Sequence, residues 1–88
     1  MIPKIGLYIM EYSDGSRHWY YDGERHRDDG PAVEDIDGYL RWYKHGKLHR
    51  EDGPAVVNPV GKNYWHVNTR QYSEEEYNSL MFMKCGIL

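Results

Sequence analysis

The strongest constraint on the fold of this chain is an internal repeat with a period of 23 residues. Residues 14–33 read DGSRHWYYDGERHRDDGPAV and residues 37–56 read DGYLRWYKHGKLHREDGPAV, so that 12 of the 20 aligned positions are identical. A second shift reaches Gly61, Asn63 and Trp65 before the motif is lost. Short periods of this kind indicate supersecondary units that bury their apolar faces by stacking. We therefore predict a single domain over 1–88, with units at about 14–36, 37–59 and a degenerate 60–72.

Each unit has the pattern of a β-hairpin. The aromatic run 19–21 favours a strand, and the following Asp22-Gly23 is typical of a two-residue type I′ turn. His45-Gly46 and Asn68-Thr69 stand at the equivalent positions. A short return strand follows the turn, and then the sequence Asp-Gly-Pro-Ala, in which we expect Asp29 and Asp52 to accept local backbone N–H groups as Asx turns do. With a first strand at about 4–12, these units predict an all-β meander of antiparallel hairpins.

The period changes from 2 to 3.6 near the C-terminus. Ser73 and Glu76 form a capping box, S-x-x-E, and acidic residues fill the first turn. Tyr77, Leu80 and Met81 recur at i, i+3 and i+4, which predicts one apolar helical face. We therefore expect a short α-helix at about 73–84, which covers the exposed end of the repeat array.

The doubled motif resembles a known family of repeats. Its 23-residue period with W-x-x-x-G-x-x-H-x-x-x-G resembles the MORN repeat, and W-Y-x-x-G-x-x-H-R-[DE]-D-G-P-A resembles the MORN-like HRxDGPA repeats of small phage and bacterial proteins. The resemblance covers about residues 14–72. It implies a hairpin-repeat sheet used for protein or membrane contact, and an accessory protein of a phage or mobile element that inhibits a host or defence protein. The matching residues are Trp19, Gly23, His26, Arg27, Gly30, Pro31 and Ala32, with Trp42, Gly46, His49, Arg50, Gly53, Pro54 and Ala55 in the second unit.

Composition and motifs argue against several function classes. The formal charge is −3 and basic residues form no long run, so nucleic-acid binding is not expected. No apolar run is long enough to cross a membrane as a helix. With one cysteine, Cys85, and no signal-peptide pattern, we expect a cytoplasmic protein without an intrachain disulfide. Nucleotide-binding glycine loops and metal-ligand spacings are not found in the sequence, so no cofactor is expected.

Three candidate sets of reactive residues have simpler structural interpretations. His26 and His49 are repeat equivalents two strands apart, too far apart to share a zinc ion. The acidic pairs 28–29 and 51–52 occur once per unit beside Gly-Pro, which indicates turn formers rather than catalytic carboxylates. Cys85 has no fixed histidine partner in the sequence. We therefore expect a protein that is not an enzyme.

The most informative prediction concerns the two faces of the sheet. Alternation along the first strand of each unit puts the three tryptophans on one face. If the tryptophans are buried, the opposite face is rich in Tyr, His and Arg, and Tyr and Arg are common at binding hot spots; cross-strand aromatic pairing that only stabilises the sheet is the alternative for these residues. The predicted contact residues are His18, Tyr20, Arg41, Tyr43, Tyr64 and His66.

We therefore predict a non-enzymatic module that binds a protein partner. Two other functions stay open at this point. The first is binding or sequestration of a small ligand such as a nucleotide signal, and the second is a structural or self-assembling repeat, for which a homo-oligomer would form.

Overall fold

The computed structural model describes residues 5–84, and ten strands precede one helix. Elements of each unit follow the predicted order of aromatic strand, tight turn and return strand. The strands are β1 (Leu7–Glu11), β2 (Arg17–Tyr21), β3 (Glu24–Arg25), β4 (Val33–Glu34), β5 (Leu40–Arg41), β6 (Tyr43–Lys44), β7 (Lys47–Leu48), β8 (Val56–Val57), β9 (Asn63–Val67) and β10 (Arg70–Tyr72), and the helix is α1 (Glu74–Lys84).

All strand pairs are antiparallel and mostly join neighbours in the sequence. An 8-stranded sheet has the order β1-β2-β4-β5-β8-β9-β10, with β3 also paired to β2, and β6 and β7 form a separate hairpin. The fold is therefore a mostly β, antiparallel hairpin meander with a single C-terminal helix, which confirms the predicted class. The molecule is thin, with principal extents of 45 × 32 × 18 Å.

The three hairpin turns have the left-handed backbone that the sequence predicts. Asp22 and Gly23 have φ values of 50° and 83°, and His45 and Gly46 have 48° and 82°. Asn68 and Thr69 repeat this geometry at 48° and 79°, so the third unit keeps the turn even without its glycine. Two consecutive positive φ values define the type I′ turn, whose twist matches that of paired strands.

The HRxDGPA motif forms a loop that interrupts the return strand. The C=O of Trp19 accepts the N–H of His26 at 3.0 Å, and the N–H of Trp19 donates to the C=O of Ala32 at 2.7 Å. The backbone N–H and C=O of one tryptophan therefore close the neck of a loop of residues 27–31, the first loop. Trp42 closes a second loop, residues 50–54, in the same way, with distances of 3.1 and 2.8 Å.

The loops and the helix cover the tryptophan face of the sheet. Arg27 and Arg50 fold from the loops onto Trp19 and Trp42, and Tyr77 of α1 lies beside Trp65. The buried apolar residues of the described chain are Trp19, Tyr20, Ala32, Val33, Ala55 and Tyr77. Aromatic residues and small alanines, together with Val33, therefore build the core.

The helix begins at the predicted capping box. The hydroxyl of Ser73 accepts the N–H of Glu76 at 3.1 Å, and the carboxylate of Glu76 accepts the N–H of Ser73 at 3.0 Å. Tyr77 is buried, Leu80 and Met81 are half-buried, and α1 packs against β9 and β10. This reciprocal pair satisfies two of the N–H groups that a helix start leaves free.

Candidate functional site

Three of the six predicted contact residues form one row across the sheet. His18 pairs with Val33, Val33 with Arg41, Arg41 with Val56, and Val56 with Tyr64. Directly paired residues point to the same face of a sheet, so the first strands of the three units do align as the repeat predicts. Arg41 is half-buried, and Tyr64 is 37% exposed.

The other three predicted residues lie in the hairpins, and two of them are buried. Tyr20, Tyr43 and His66 each follow the row residue of their unit by two positions, and so lie on the same face. Tyr20 is only 6% exposed and His66 only 8%, whereas Tyr43 is half-buried. The guanidinium carbon of Arg25 lies 6.0 Å from the ring centre of Tyr20 and 5.7 Å from that of Tyr43. Usable contact area on this face is therefore at Arg41, Tyr43 and Tyr64.

Charged groups on this face neutralise one another. Arg41 forms a salt bridge with Asp35, which also lies 3.8 Å from the Nε2 of His18. Burial lowers the pKa of His18, and the nearby Arg25 lowers it further, while Asp35 opposes the shift. Burial likewise lowers the pKa of His66. Both rings are therefore held neutral near pH 7, which leaves arginine as the main source of positive charge in the contact area.

The repeat histidines connect one unit to the next. The Nδ1 of His26 accepts the N–H of His45 at 2.9 Å, and the Nδ1 of His49 accepts the N–H of Asn68 at 3.0 Å. Both donors are the first residues of the following tight turn. The Nε2 atoms face carboxylates, Asp28 at 3.0 Å and Glu51 at 2.9 Å. These partners fix the tautomer with the proton on Nε2, and they support the structural interpretation over a metal site.

The repeat arginines hold the loops on the tryptophan face. The guanidinium carbon of Arg27 lies 3.9 Å from the ring centre of Trp19, its Nε donates to Asp29 at 2.9 Å, and its Nη1 donates to the C=O of Pro31 at 3.1 Å. The second unit repeats the set, with Arg50 3.8 Å from Trp42. The prediction that Asp29 and Asp52 form Asx turns is therefore wrong. These carboxylates accept from the loop arginine instead of from a backbone N–H.

The loop glycine leaves room for that arginine. A Cβ atom on Gly30 would lie 3.0 Å from the Arg27 guanidinium carbon, and one on Gly53 would lie 2.8 Å from that of Arg50. Asx turns do occur in the chain, at Asp14, Asp37 and Asn58, where the side-chain oxygen accepts the N–H two residues later. These are the turns that join one unit to the next.

A groove of about 610 Å³ separates the two loops. We name it the first groove; Trp42 lies in its lining between the acidic edges of both loops. Its charged residues are three cations and four carboxylates, which gives a formal charge of −1. The lining consists of Arg27, Asp28, Asp29, Gly30, Trp42, Lys44, His49, Arg50, Glu51 and Asp52.

Carboxylates of the groove are already paired. The His26 ring and Lys44 lower the pKa of Asp28, and Lys84 and His49 lower the pKa of Glu51. No group of three or more His, Cys, Asp or Glu side chains that could hold a metal ion is found within residues 5–84. Cys85 lies outside the described residues. The groove is therefore chemically suited to recognising a polar or aromatic group.

No helix within residues 5–84 has the length and apolar character needed to cross a bilayer. Comparison of the chain with protein-family models, with curated proteins and with solved structures finds no match.

Proposed function

We propose that this protein is a non-enzymatic module that binds a protein partner through the Tyr and Arg side chains of the sheet face opposite the tryptophans. The observation that carries the proposal is the row of Arg41 and Tyr64, which keeps accessible area, while loops and helix lie over the other face, where Trp19 is buried and Trp42 and Trp65 are half-buried. Tyr and Arg are enriched at binding hot spots because they bury large area and form directed hydrogen bonds. Tyr43 lies two residues after Arg41, on the same face, and extends this surface.

The resemblance to HRxDGPA repeats supplies the class of partner. We propose that the partner is a host or defence protein, that the chain acts as a phage-encoded or mobile-element inhibitor of it, and that binding takes place in the cytoplasm. The salt bridge to Asp35 suits this role, since it holds Arg41 before binding and so reduces the conformational entropy lost on association.

A small-ligand function has one observation in its favour, the first groove. Its volume of about 610 Å³ is within the usual range for ligand pockets. Four carboxylates in its lining repel a nucleotide phosphate, however, and the three cations are paired to them. We therefore rank nucleotide sequestration, like self-assembly, below protein binding.

Affinity capture of the tagged full chain from a bacterial lysate tests the proposal. We expect a stoichiometric protein to be retained by the parent and lost with Tyr64→Ala. Asn63→Ala is the matched control, because Asn63 is exposed and points to the opposite face. Equal retention by both variants, or a nucleotide as the only retained molecule, would contradict the proposal.

A further inference from the structure

Tyr77 shows which group fits between the second loop and the third unit. Its hydroxyl donates to the C=O of Arg50 and accepts the N–H of Gly53 at 3.3 Å. Its ring centre lies 6.4 Å from that of Trp65, and the residue is 3% exposed. We name this space the second groove; it is filled by the chain's own helix.

The repeat places the same groups one unit earlier. A shift of 23 residues converts Arg50, Gly53 and Trp65 into Arg27, Gly30 and Trp42. All three of the latter line the first groove. Within residues 5–84, no side chain makes a hydrogen bond to the C=O of Arg27 or to the N–H of Gly30. The first groove therefore offers the acceptor, the donor and the aromatic ring that Tyr77 uses in the second groove.

We propose that the first groove binds the side chain of a tyrosine presented by a polypeptide partner, in the pose that Tyr77 has one unit later. In that pose the phenol hydroxyl donates to the C=O of Arg27 and accepts the N–H of Gly30. The site lies on the tryptophan face, so it is separate from the row of Arg41 and Tyr64 and can be tested without it.

One difference between the grooves sets the environment of the ring. Arg50 in the second unit is replaced by Ser73 in the third, so the first groove keeps a guanidinium 3.8 Å from the Trp42 ring centre. The volume of about 610 Å³ is what remains with Arg50 in place. An incoming phenol ring therefore meets the guanidinium that stacks on the indole, which adds a cation–π contact.

The required hydroxyl and the local charge make the site selective. A phenylalanine lacks the group that bonds both backbone partners. A phosphotyrosine lacks the donor proton and brings negative charge toward Asp28, Asp29, Glu51 and Asp52. The chemistry therefore selects unmodified tyrosine.

NMR titration of the ¹⁵N-labelled full chain with N-acetyl-tyrosinamide tests the site. We expect the amide of Gly30 and the indole N–H of Trp42 to shift in a saturable way, with a dissociation constant in the millimolar range that a ligand of this size allows. The indole of Trp65 should not respond, because Tyr77 fills its groove. N-acetyl-phenylalaninamide and the O-phosphorylated tyrosinamide should bind at least about tenfold more weakly, since each loses a hydrogen bond.

Two matched variants locate the binding. Lys44→Trp puts a bulky ring into the first groove and should abolish the shifts. Lys47 pairs with Lys44 across the hairpin but does not line the groove. The variant Lys47→Trp should therefore leave the shifts intact. Both positions are exposed, so both variants should keep the parent spectrum elsewhere. Equal binding of the tyrosine and phenylalanine probes, or persistence of the shifts in Lys44→Trp, would overturn the proposal.

Discussion

At the scale of single residues, each position of the HRxDGPA motif has a separate contact. The histidine receives an N–H from the turn of the next unit, and the arginine lies between its own tryptophan and the loop glycine. The aspartate and the proline carbonyl hold the guanidinium. The motif therefore couples the loop to the strand of its own unit and the unit to its successor.

Replacement of the loop arginine should be costly even when its charge is kept. Arg50→Lys loses the planar stack on Trp42 and the paired bonds to Asp52 and Pro54, which one ammonium cannot reproduce. We expect a loss of about 1–3 kcal/mol in the free energy of unfolding, measured by urea denaturation. Arg17→Lys is the control, because Arg17 is exposed and its ion pair with Glu11 can be kept by a lysine, so stability should change by less than about 0.5 kcal/mol. Equal effects of the two variants would contradict the role of the stack.

Two histidines on the sheet face, His18 and His66, should make stability depend on pH. The pKa values of His18 and His66 are lowered by burial, so the unfolded chain binds more protons than the folded one once the pH falls below the ordinary value of about 6.5. The contribution of these two histidines to stability is fully present above that pH and is lost as the pH falls through their folded-state pKa values. Urea midpoints should therefore be lower at about pH 5.5 than at about pH 7.5. His66→Gln should reduce this difference, and an unchanged difference would show that His66 does not contribute.

At the scale of elements, the sequence predicts what depends on neighbouring residues and misses what depends on distant ones. The type I′ turns and the capping box at Ser73 are local and appear as predicted. The loop neck is not local, since it joins Trp19 to Ala32 through the backbone and leaves no side-chain pattern. For the same reason the sequence could not show that Tyr77 reaches across to the second loop. The contact between Asp29 and Arg27 is local, but an Asx turn is an equally local use of the same carboxylate, so the sequence does not distinguish the two.

Tyr77 is the main link between the helix and the sheet. Tyr77→Phe removes only the hydroxyl and leaves the C=O of Arg50 and the N–H of Gly53 without this partner at a buried position. We expect a loss of about 1–3 kcal/mol in the free energy of unfolding, measured by thermal or urea denaturation. Tyr72→Phe provides the comparison, because the Tyr72 hydroxyl makes no hydrogen bond within residues 5–84. A neutral Tyr77→Phe would mean that the helix is held by apolar packing alone.

At the scale of the whole molecule, the sheet is a single thin layer whose two faces have different coverings. Loops and helix lie over the tryptophan face, whereas Arg41, Tyr43 and Tyr64 on the opposite face keep part of their accessible area. The sequence could assign residues to faces by alternation, but it could not show how deeply each side chain is buried. Tyr20 and His66 share the predicted face, yet only 6% of Tyr20 and 8% of His66 is exposed; the Arg25 guanidinium lies 6.0 Å from the Tyr20 ring centre.

The partner should contact the face of Arg41 and Tyr64, and the affinity of variants of these residues for the captured partner tests this placement. Tyr64→Ala and Arg41→Ala should each weaken binding by about 2 kcal/mol, or roughly 30-fold in the dissociation constant, while Asn63→Ala binds like the parent. Calorimetric titration of each variant, with its fold checked by circular dichroism, gives these values. Parent-like binding by Tyr64→Ala and Arg41→Ala, together with lost binding by a folded Trp42→Ala, would contradict the account and place the contact on the tryptophan face.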